Sequence, residues 1–504
     1  MKAFRTLGIA LLASLVLCSL ASAQFQQGTW TKITNAPSSP VAHALMLSDG
    51  SVLVNSMYFS NHSDPWYRLV PDSTGSYLNG TWVNAGTLPS GYNPLYFASQ
   101  VLPNGEVAIM GGEYNNGVGV WTTKGALYNP ISNSWTSLTA PSGWTTIGDA
   151  ESILLPTGHM MLANCCTTQQ SILTLSGKTA SWAATGTGKA DENDEEGWVM
   201  LPDGNILEVD AYVNSYSKTG TNSEIYNYTT GTWSTAGSTI VQLWDSSADC
   251  GGKNSASYEE GPGVLRPGGI VFWTGANRCG PGNTANYTVS TGTWAAGPTF
   301  PGTEDIADGP ASELPDGNVL LDASPGIYET GSSFYEWDGS VINPTTAPSN
   351  AGIDSSYVGG FVLLPTGQVL FTDFSSTVEI YTPVGSPCTG CAPTVKTVSA
   401  TLTAGAKNNK ITGTQFNGQS QGASYGDDNQ MDTNWPFVRI VDSAGDVVYC
   451  RTHNWTPAVQ TGTKLVQAQF DIPTTIHTGA ATLYVVADGI PSSGTAVTIE
   501  AAAK

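Results

Sequence analysis

Four carboxylates recur at one position of a repeated segment. Asp149, Glu195, Glu260 and Asp308 each stand nine residues before a glycine that closes a turn of the form Leu-Pro-x-Gly or a near variant, and Val41, Tyr96 and Val358 hold that position in three further copies. Glu151, Asp194, Glu196 and Glu259 follow or precede them closely. Crowded carboxylates cannot all ionise freely, so one can stay protonated as a general acid while a neighbour serves as base, as glycoside cleavage requires. Carboxylate oxygens without soft ligands also suit a hard cation, Ca²⁺ or another divalent ion. The plainest reading is that acids at a wet rim accept backbone hydrogen bonds or face solvent. No motif of fixed spacing selects among the three, and the sequence has no Ser-His-Asp signature, phosphate loop or HExxH.

The elements that must position these acids are legible from the turns. Their glycines, Gly50, Gly105, Gly158, Gly204, Gly269, Gly317 and Gly367, are separated by 46 to 65 residues, and Trp30, Trp82, Trp135, Trp182, Trp233, Trp294 and Trp337 march in step. Pro presets φ in such a turn and Gly tolerates the positive φ that ends it. An apolar run on each side reads as a hairpin buried on both faces; a strand with Tyr and a strand with Trp then complete four strands per unit. A period near fifty with short strands marks a β-propeller of the kelch kind, here with seven blades.

In a closed ring, equivalent positions converge on the axis. Asp149, Glu195, Glu260 and Asp308 are therefore expected at one end of a central channel, with Tyr96, Glu151, His43, Tyr357 and His453 near the same rim. Trp30 precedes every turn, and no Trp strand follows Val378-Glu379-Ile380-Tyr381. The strand around Gly28-Thr29-Trp30 is thus expected to complete the last blade beside residues 377–382, which removes an open edge.

Composition bounds the function. Residues 1–23 read as a secretory signal, with Lys2 and Arg5 ahead of an apolar centre and Ala21-Ser22-Ala23 at the cleavage site. An exported protein, extracellular or periplasmic, is expected, without a membrane span and as a monomer. Past the signal, 16 Lys and Arg stand against 40 Asp and Glu, a field that repels phosphate backbones and excludes nucleic acid as partner. A glycan or other small-molecule ligand suits it. Of the cysteines past the signal, Cys388 and Cys391 read as a disulfide loop and Cys250 with Cys279 as a second pair; adjacent Cys165 and Cys166 either bond each other or split between partners. An odd count leaves at least one thiol unpaired within the chain. Trp66, Trp121, Trp144, Trp198, Trp244, Trp273, Trp435 and Trp455 fall outside the repeat series and are candidates for ligand contact.

The repeat signal stops after Tyr381. A linker over 387–392 leads to a region, 393–504, of alternating strands that reads as an immunoglobulin-like (E-set) β-sandwich, so the chain is all-β with the propeller over 24–386. The acidic run Tyr425–Asp432 reads as a surface loop able to hold a cation.

Signal, seven-bladed kelch propeller and C-terminal sandwich in this order resemble the galactose oxidase and glyoxal oxidase group of secreted copper radical enzymes. The resemblance implies copper held by two tyrosines and two histidines, with one tyrosine crosslinked to a cysteine. Tyr357 matches the axial tyrosine, but Val358 stands where a histidine ligand belongs. Asp149 falls in place of the crosslinked tyrosine, and Tyr96 or Phe97 in place of the cysteine. Thr452-His453-Asn454 looks like the sandwich segment that supplies the other histidine. Tyr357 and His453 are thus the residual family-like metal ligands, the copper radical centre is not expected, and Asp149, Glu195, Glu260, Tyr357 and His453 are the catalytic candidates.

Overall fold

In each turn the glycine N–H donates to the carbonyl three residues earlier, over 2.7–3.2 Å. All seven turn glycines have φ between 76° and 92°, where a side chain would strain the backbone. Gly50 has a second constraint, since a Cβ there would lie 2.6 Å from the Tyr449 ring. The computed structural model describes residues 25–56, 65–177, 179–211, 222–245, 257–421, 424–425, 429–430 and 434–502.

The turns link the first two strands of seven antiparallel sheets: five are four strands in chain order, sheet 4 adds two short strands from further along the chain, and sheet 7 takes its fourth strand from Thr29–Lys32. Sheet 1 begins at Val41–Met46, sheet 2 at Ala98–Val101, sheet 3 at Ser152–Leu154, sheet 4 at Gly197–Met200, sheet 5 at Glu260–Arg266, sheet 6 at Ala311–Glu313 and sheet 7 at Gly360–Leu363. These first strands are almost wholly buried, as runs apolar on both faces require. They lie beside one another from sheet to sheet, and sheet 7 lies against sheet 1, which is the arrangement of a β-propeller. Closure follows the expected route: Thr29–Lys32 pairs antiparallel with Glu379–Thr382, Trp30 opposite Tyr381.

The repeated tryptophans latch sheet to sheet. Six lie on fourth strands, and each indole N–H donates backwards to the preceding sheet or the chain leaving it: Trp82 to Asn35 O, Trp135 to Ala85 O, Trp182 to Thr139 O, Trp233 to Gln170 Oε1, Trp294 to Ser223 Oγ and Trp30 to Thr346 O, over 2.6–2.9 Å. Trp337 departs from the series. It lies on the third strand of sheet 6, Ser333–Trp337, stacked on Phe272 at 3.8 Å.

Beyond Cys391 two further sheets form, one joining Thr394–Val398, Asn409–Thr414, Leu465–Phe470 and Thr452–Thr456, the other centred on Gly479–Ala487. Their strands alternate buried and exposed residues, unlike the propeller's inner strands. They sit on the Leu-Pro-x-Gly turns: Thr452 N–H donates to Ser48 O, Asn454 N–H to Pro103 O, Ala458 N–H to Pro156 O and Gln460 Nε2 to Pro202 O. From this region Ser424–Tyr425 and Asn429–Gln430 pair with each other, and the first pairs with Gly197–Trp198 of sheet 4. The acidic run read as a surface loop therefore sends strands to the ring; its residues 426–428 and 431–432 lie outside the described residues.

Cys165–Cys166 and Cys388–Cys391 are disulfides, and buried Cys450 is free. Cys279 is also bonded, while its expected partner Cys250 lies outside the described residues.

Candidate functional site

The turns face the C-terminal sheets, so the opposite ends of the inner strands form the other mouth of the ring. There a cavity of about 420 Å³ is lined by Tyr96, Glu113, Tyr114, Asp149, Glu195, Glu259, Asp308, Tyr328 and Tyr357. Among the described residues five carboxyl groups and four phenols meet there.

Local backbone aims these side chains. Tyr96, Glu195 and Asp308, at the same position of sheets 2, 4 and 6, all have left-handed φ of 51°, 57° and 55°, a conformation that non-glycine residues adopt at a cost of about 1–3 kcal/mol each. Asp149, Glu259 and Tyr357 likewise precede the first strands of sheets 3, 5 and 7, whereas Glu113 and Tyr114 follow the second strand Val107–Met110 and Tyr328 follows Val319–Ala323. The Glu113 N–H donates to Tyr96 O over 2.9 Å, tying the two kinds of segment together. Tyr328 donates its hydroxyl to Glu259 Oε1 and stands edge-on to Tyr357 at 5.5 Å; Tyr96 and Tyr114 form a second such pair at 6.1 Å.

The electrostatics are those of acids held together. Glu195, Glu259 and Asp308 each place an oxygen within 4.8 Å of the other two. Burial, then the charges of Asp149 and Asp308, hold Glu195 well above the usual carboxylate range; burial, then Asp308 and Glu195, do the same to Glu259. Glu113 is pushed up to about 7 by burial and by Asp149 and Asp308, so it is a proton donor near neutrality. Glu259 is 4% exposed and its Oε2 has no hydrogen-bond partner.

Of the residues expected at the rim, Tyr96, Asp149, Glu195, Asp308 and Tyr357 line the cavity. Four do not. Glu260 is fully buried and accepts the Gly197 N–H of sheet 4 over 3.3 Å. Sheet 5 starts early and carries a register shift between Glu260 and Gly263, so the neighbouring Glu259 takes the lining position. Glu151 follows Asp149 by two residues but is only 1% exposed, inside the wall between sheets 3 and 4. His43 is buried behind the rim, edge-on to Tyr96 and Phe97 at 5.7 and 5.2 Å. His453 lies at the other face of the ring, its Nε2 3.2 Å from Asp471 Oδ1, next to the Asn454 contact with Pro103. Seven residues of extended chain separate Pro103 from Tyr96, about 20 Å.

That separation decides the fit to copper. Among the described residues Tyr357 is the only family-like ligand in the cavity, His453 cannot reach it, and the lining offers carboxylate and phenol oxygens with no imidazole or thiol. Copper(II) prefers tetragonal nitrogen and oxygen sets, so the described residues do not fit the radical centre.

Sequence reasoning missed Glu113, Tyr114 and Tyr328. The signal was available: the end of a second strand lies beside the start of the first, so loops after Met110 and Ala323 had to reach the same rim. Among the tryptophans offered as ligand contacts, Trp66, Trp198, Trp244, Trp273, Trp435 and Trp455 are buried. Trp121 is 45% exposed and packs on Gly148, beside Asp149, with a Cβ at Gly148 falling 2.9 Å from its ring.

Behind the rim lies a second acidic cluster. Lys189, fully buried, places Nζ 3.2 Å from Glu196 Oε2, 3.1 Å from Glu208 Oε2 and 3.4 Å from Glu224 Oε2, and pairs with Asp191 at 2.5 Å. Glu208 and Glu224 stand directly opposite on paired strands of sheet 4, a repulsive placement without the lysine between them. Burial works against the Lys189 charge, but Glu196, Glu208 and Asp191 outweigh it and hold its pKa well above the ordinary range.

No protein-family model matches the chain, and no curated protein matches its sequence. Solved structures match in shape. A catalytically inactive virginiamycin B lyase from Staphylococcus aureus, with quinupristin, is 9% identical and covers 71% of this chain and 100% of its own, with a TM-score of 0.46. YjhT is 13% identical and covers 62% of this chain and 99% of its own, with a TM-score of 0.35. At these scores neither likeness carries an argument here; the propeller arrangement rests on the sheets themselves.

Proposed function

We propose that the chain is an exported protein of the galactose oxidase-like class, a seven-bladed kelch propeller over 24–386 joined through 387–392 to an immunoglobulin-like sandwich over 393–504, which lacks the copper radical centre and binds or processes glycans outside the cytoplasm. The observation that carries this reading is the cavity of carboxyl and phenol groups at the end of the ring opposite the Leu-Pro-x-Gly turns. Sugar hydroxyls both donate and accept, and carboxylates and tyrosine hydroxyls match them. Aromatic faces, the exposed Trp121 among them, suit sugar rings. A carboxyl such as Glu113, titrating at about 7, supplies the proton that departure of a glycosidic oxygen needs, and a neighbouring carboxylate such as Asp149 supplies the base.

Screening the purified protein on an oligosaccharide array, with Glu195→Gln beside it, tests the reading. Binding or turnover of at least one glycan, lost in the variant, is expected. No interaction with any sugar would overturn it and leave an adhesion module, whose partner binding Glu195→Gln would not change.

A further inference from the structure

A second cavity, of about 510 Å³, opens beside the outer strands of sheet 3 and shares no lining residue with the rim cavity. Its place follows from the strand ladder. Gln170 pairs with Ala163 and with Thr185, and the Ala163 N–H donates to Glu151 O, so the third strand begins and the fourth ends at the end of the ring where Asp149 stands. The chain arriving from sheet 2 closes the groove. Ser142 and Gly143 are the corners of a turn in which the Trp144 N–H donates to Pro141 O over 3.3 Å, and Gly143 takes the positive φ, 86°, that such a turn needs. The same segment accepts the Trp182 indole N–H at Thr139 O over 2.7 Å. Two partly exposed tryptophans thus line the groove, both set by one connection.

The chemistry here is the reverse of the rim's. Among the described residues the lining holds no carboxyl group, and its one cation, Lys189, is wholly buried and turned inward to Asp191, Glu196, Glu208 and Glu224. A charged ligand finds no counter-charge in it, and an anion is further repelled by the acidic chain. The polar groups that remain are neutral. Gln170 is committed inside, accepting from Trp233 and donating to Asn193, both over 2.6 Å. Gln169 accepts from Asn164 Nδ2 through Oε1 over 2.9 Å, which leaves its own amide N–H pair for a ligand. The Trp144 indole N–H has no acceptor among the described residues. A purely apolar ligand would cover these donors without satisfying them. A pyranose satisfies both needs, since its C–H face rests on an indole while the hydroxyls at its edge accept and donate. The volume falls in the range of about 300–1,000 Å³ common to small-molecule sites.

We propose that this groove is a second binding site and that it takes a neutral oligosaccharide, one sugar ring resting on Trp144 with Gln169 donating to its hydroxyls. The site goes beyond the glycan reading of the rim, because it uses none of the rim's residues and needs none of its acids.

Titration calorimetry on the full chain tests this with cellohexaose, xylohexaose and mannohexaose, beside hexagalacturonate and a decaproline peptide. At least one neutral hexamer is expected to bind, with the same affinity at low and high salt, since no ion pair is involved. Trp144→Ala should weaken that binding tenfold or more and Gln169→Ala about threefold, while Glu195→Gln changes it less than twofold. Gln169 is exposed, so an unchanged melting temperature in Gln169→Ala separates a lost contact from a lost fold even if Trp144→Ala unfolds. That pattern would sustain the groove even where the rim takes no glycan. No binding of any neutral hexamer would overturn the proposal, and so would binding that the groove variants leave intact. In the latter case loss in Glu195→Gln would assign the sugar to the rim and leave the rim reading standing. Binding of hexagalacturonate or decaproline alone would also overturn it, in favour of an acidic glycan or an extended peptide.

Discussion

Two acidic clusters lie within a few residues of each other in sequence and have been solved in opposite ways. Glu196 is buried and meets Lys189; Glu195, one residue earlier, is half-buried and meets Glu259 and Asp308. The interior cluster carries its counter-charge on the same chain, in the loop that joins sheets 3 and 4. The rim cluster, among the described residues that line its cavity, meets phenols and two further carboxyls, Glu113 and Asp149. Charge enclosed in the wall between sheets is neutralised there by a lysine of the same chain, whereas the rim acids border a cavity.

The largest effect should come from taking the internal counter-charge away. Lys189→Met leaves Asp191, Glu196, Glu208 and Glu224 buried without a cation, and removing one partner of a buried pair costs about 3–5 kcal/mol. Against a typical total of about 5–15 kcal/mol, much of the protein should fail to fold. Denaturant midpoints measure this, and Glu208→Gln in the same chain should recover part of the loss. A Lys189→Met protein within about 1 kcal/mol of the parent would erase the contrast between the clusters. The rim should respond with the other sign. Glu195→Gln and Glu259→Gln remove mutual repulsion and should leave the melting temperature unchanged or higher while ligand binding falls, so an unfolded Glu259→Gln protein would show that the rim acids are structural too.

Titration sharpens the comparison by a smaller amount. Glu113 at the rim has a folded pKa of about 7 against an ordinary 4.5, and Asp354 and Asp488 elsewhere are also pushed up to about 7, all three chiefly by burial. The folded state therefore holds these protons more tightly than the unfolded chain does. The stability they contribute is complete below the unfolded pKa and is lost as pH rises through about 7. Chemical denaturation from pH 5 to pH 8 should reveal falling stability, with a shallower fall in Glu113→Gln. An identical slope in that variant would mean that Glu113 does not keep its proton.

The ring, its closure and one half of the rim were legible in the sequence because they follow from spacing. Seven glycines at a fixed offset announce seven equivalent strands, and equivalence alone places Tyr96, Asp149, Glu195 and Asp308 together. What spacing could not carry is a departure from equivalence. One irregular ladder in sheet 5 exchanges Glu260 for Glu259, and Glu151 is buried in the irregular segment ahead of Ser152–Leu154, where a regular strand would have kept it on the side of Asp149. Glu113, Tyr114 and Tyr328 sit on loops of unequal length, where the repeat imposes no register. His453 was assigned from a resemblance between short segments, and the contacts of its neighbours with Ser48 and Pro103 fix it to the turn face instead. Lys189 drew no notice, since a lone lysine in an acidic run reads as surface until the run proves to be buried.

Glu151 tests where one cluster ends and the other begins. Its carboxyl group is buried with no side-chain donor, and one of its oxygens lies within 4.8 Å of an oxygen of Glu196 and one of Glu208, the two residues that Lys189 engages. Burial, then the Glu208 charge, pushes its pKa well above the usual range, so the group folds with its proton on. In Glu151→Gln a carboxamide can donate to either neighbour without adding charge, and the expected change is a gain of about 1 kcal/mol at pH 8 that shrinks toward pH 5. A loss of comparable size would mean that the carboxyl group has a positive partner and that Lys189 serves Glu151 as well. The interior cluster would then extend to the residue directly behind Asp149, and substitutions at the rim should begin to change stability as well as binding.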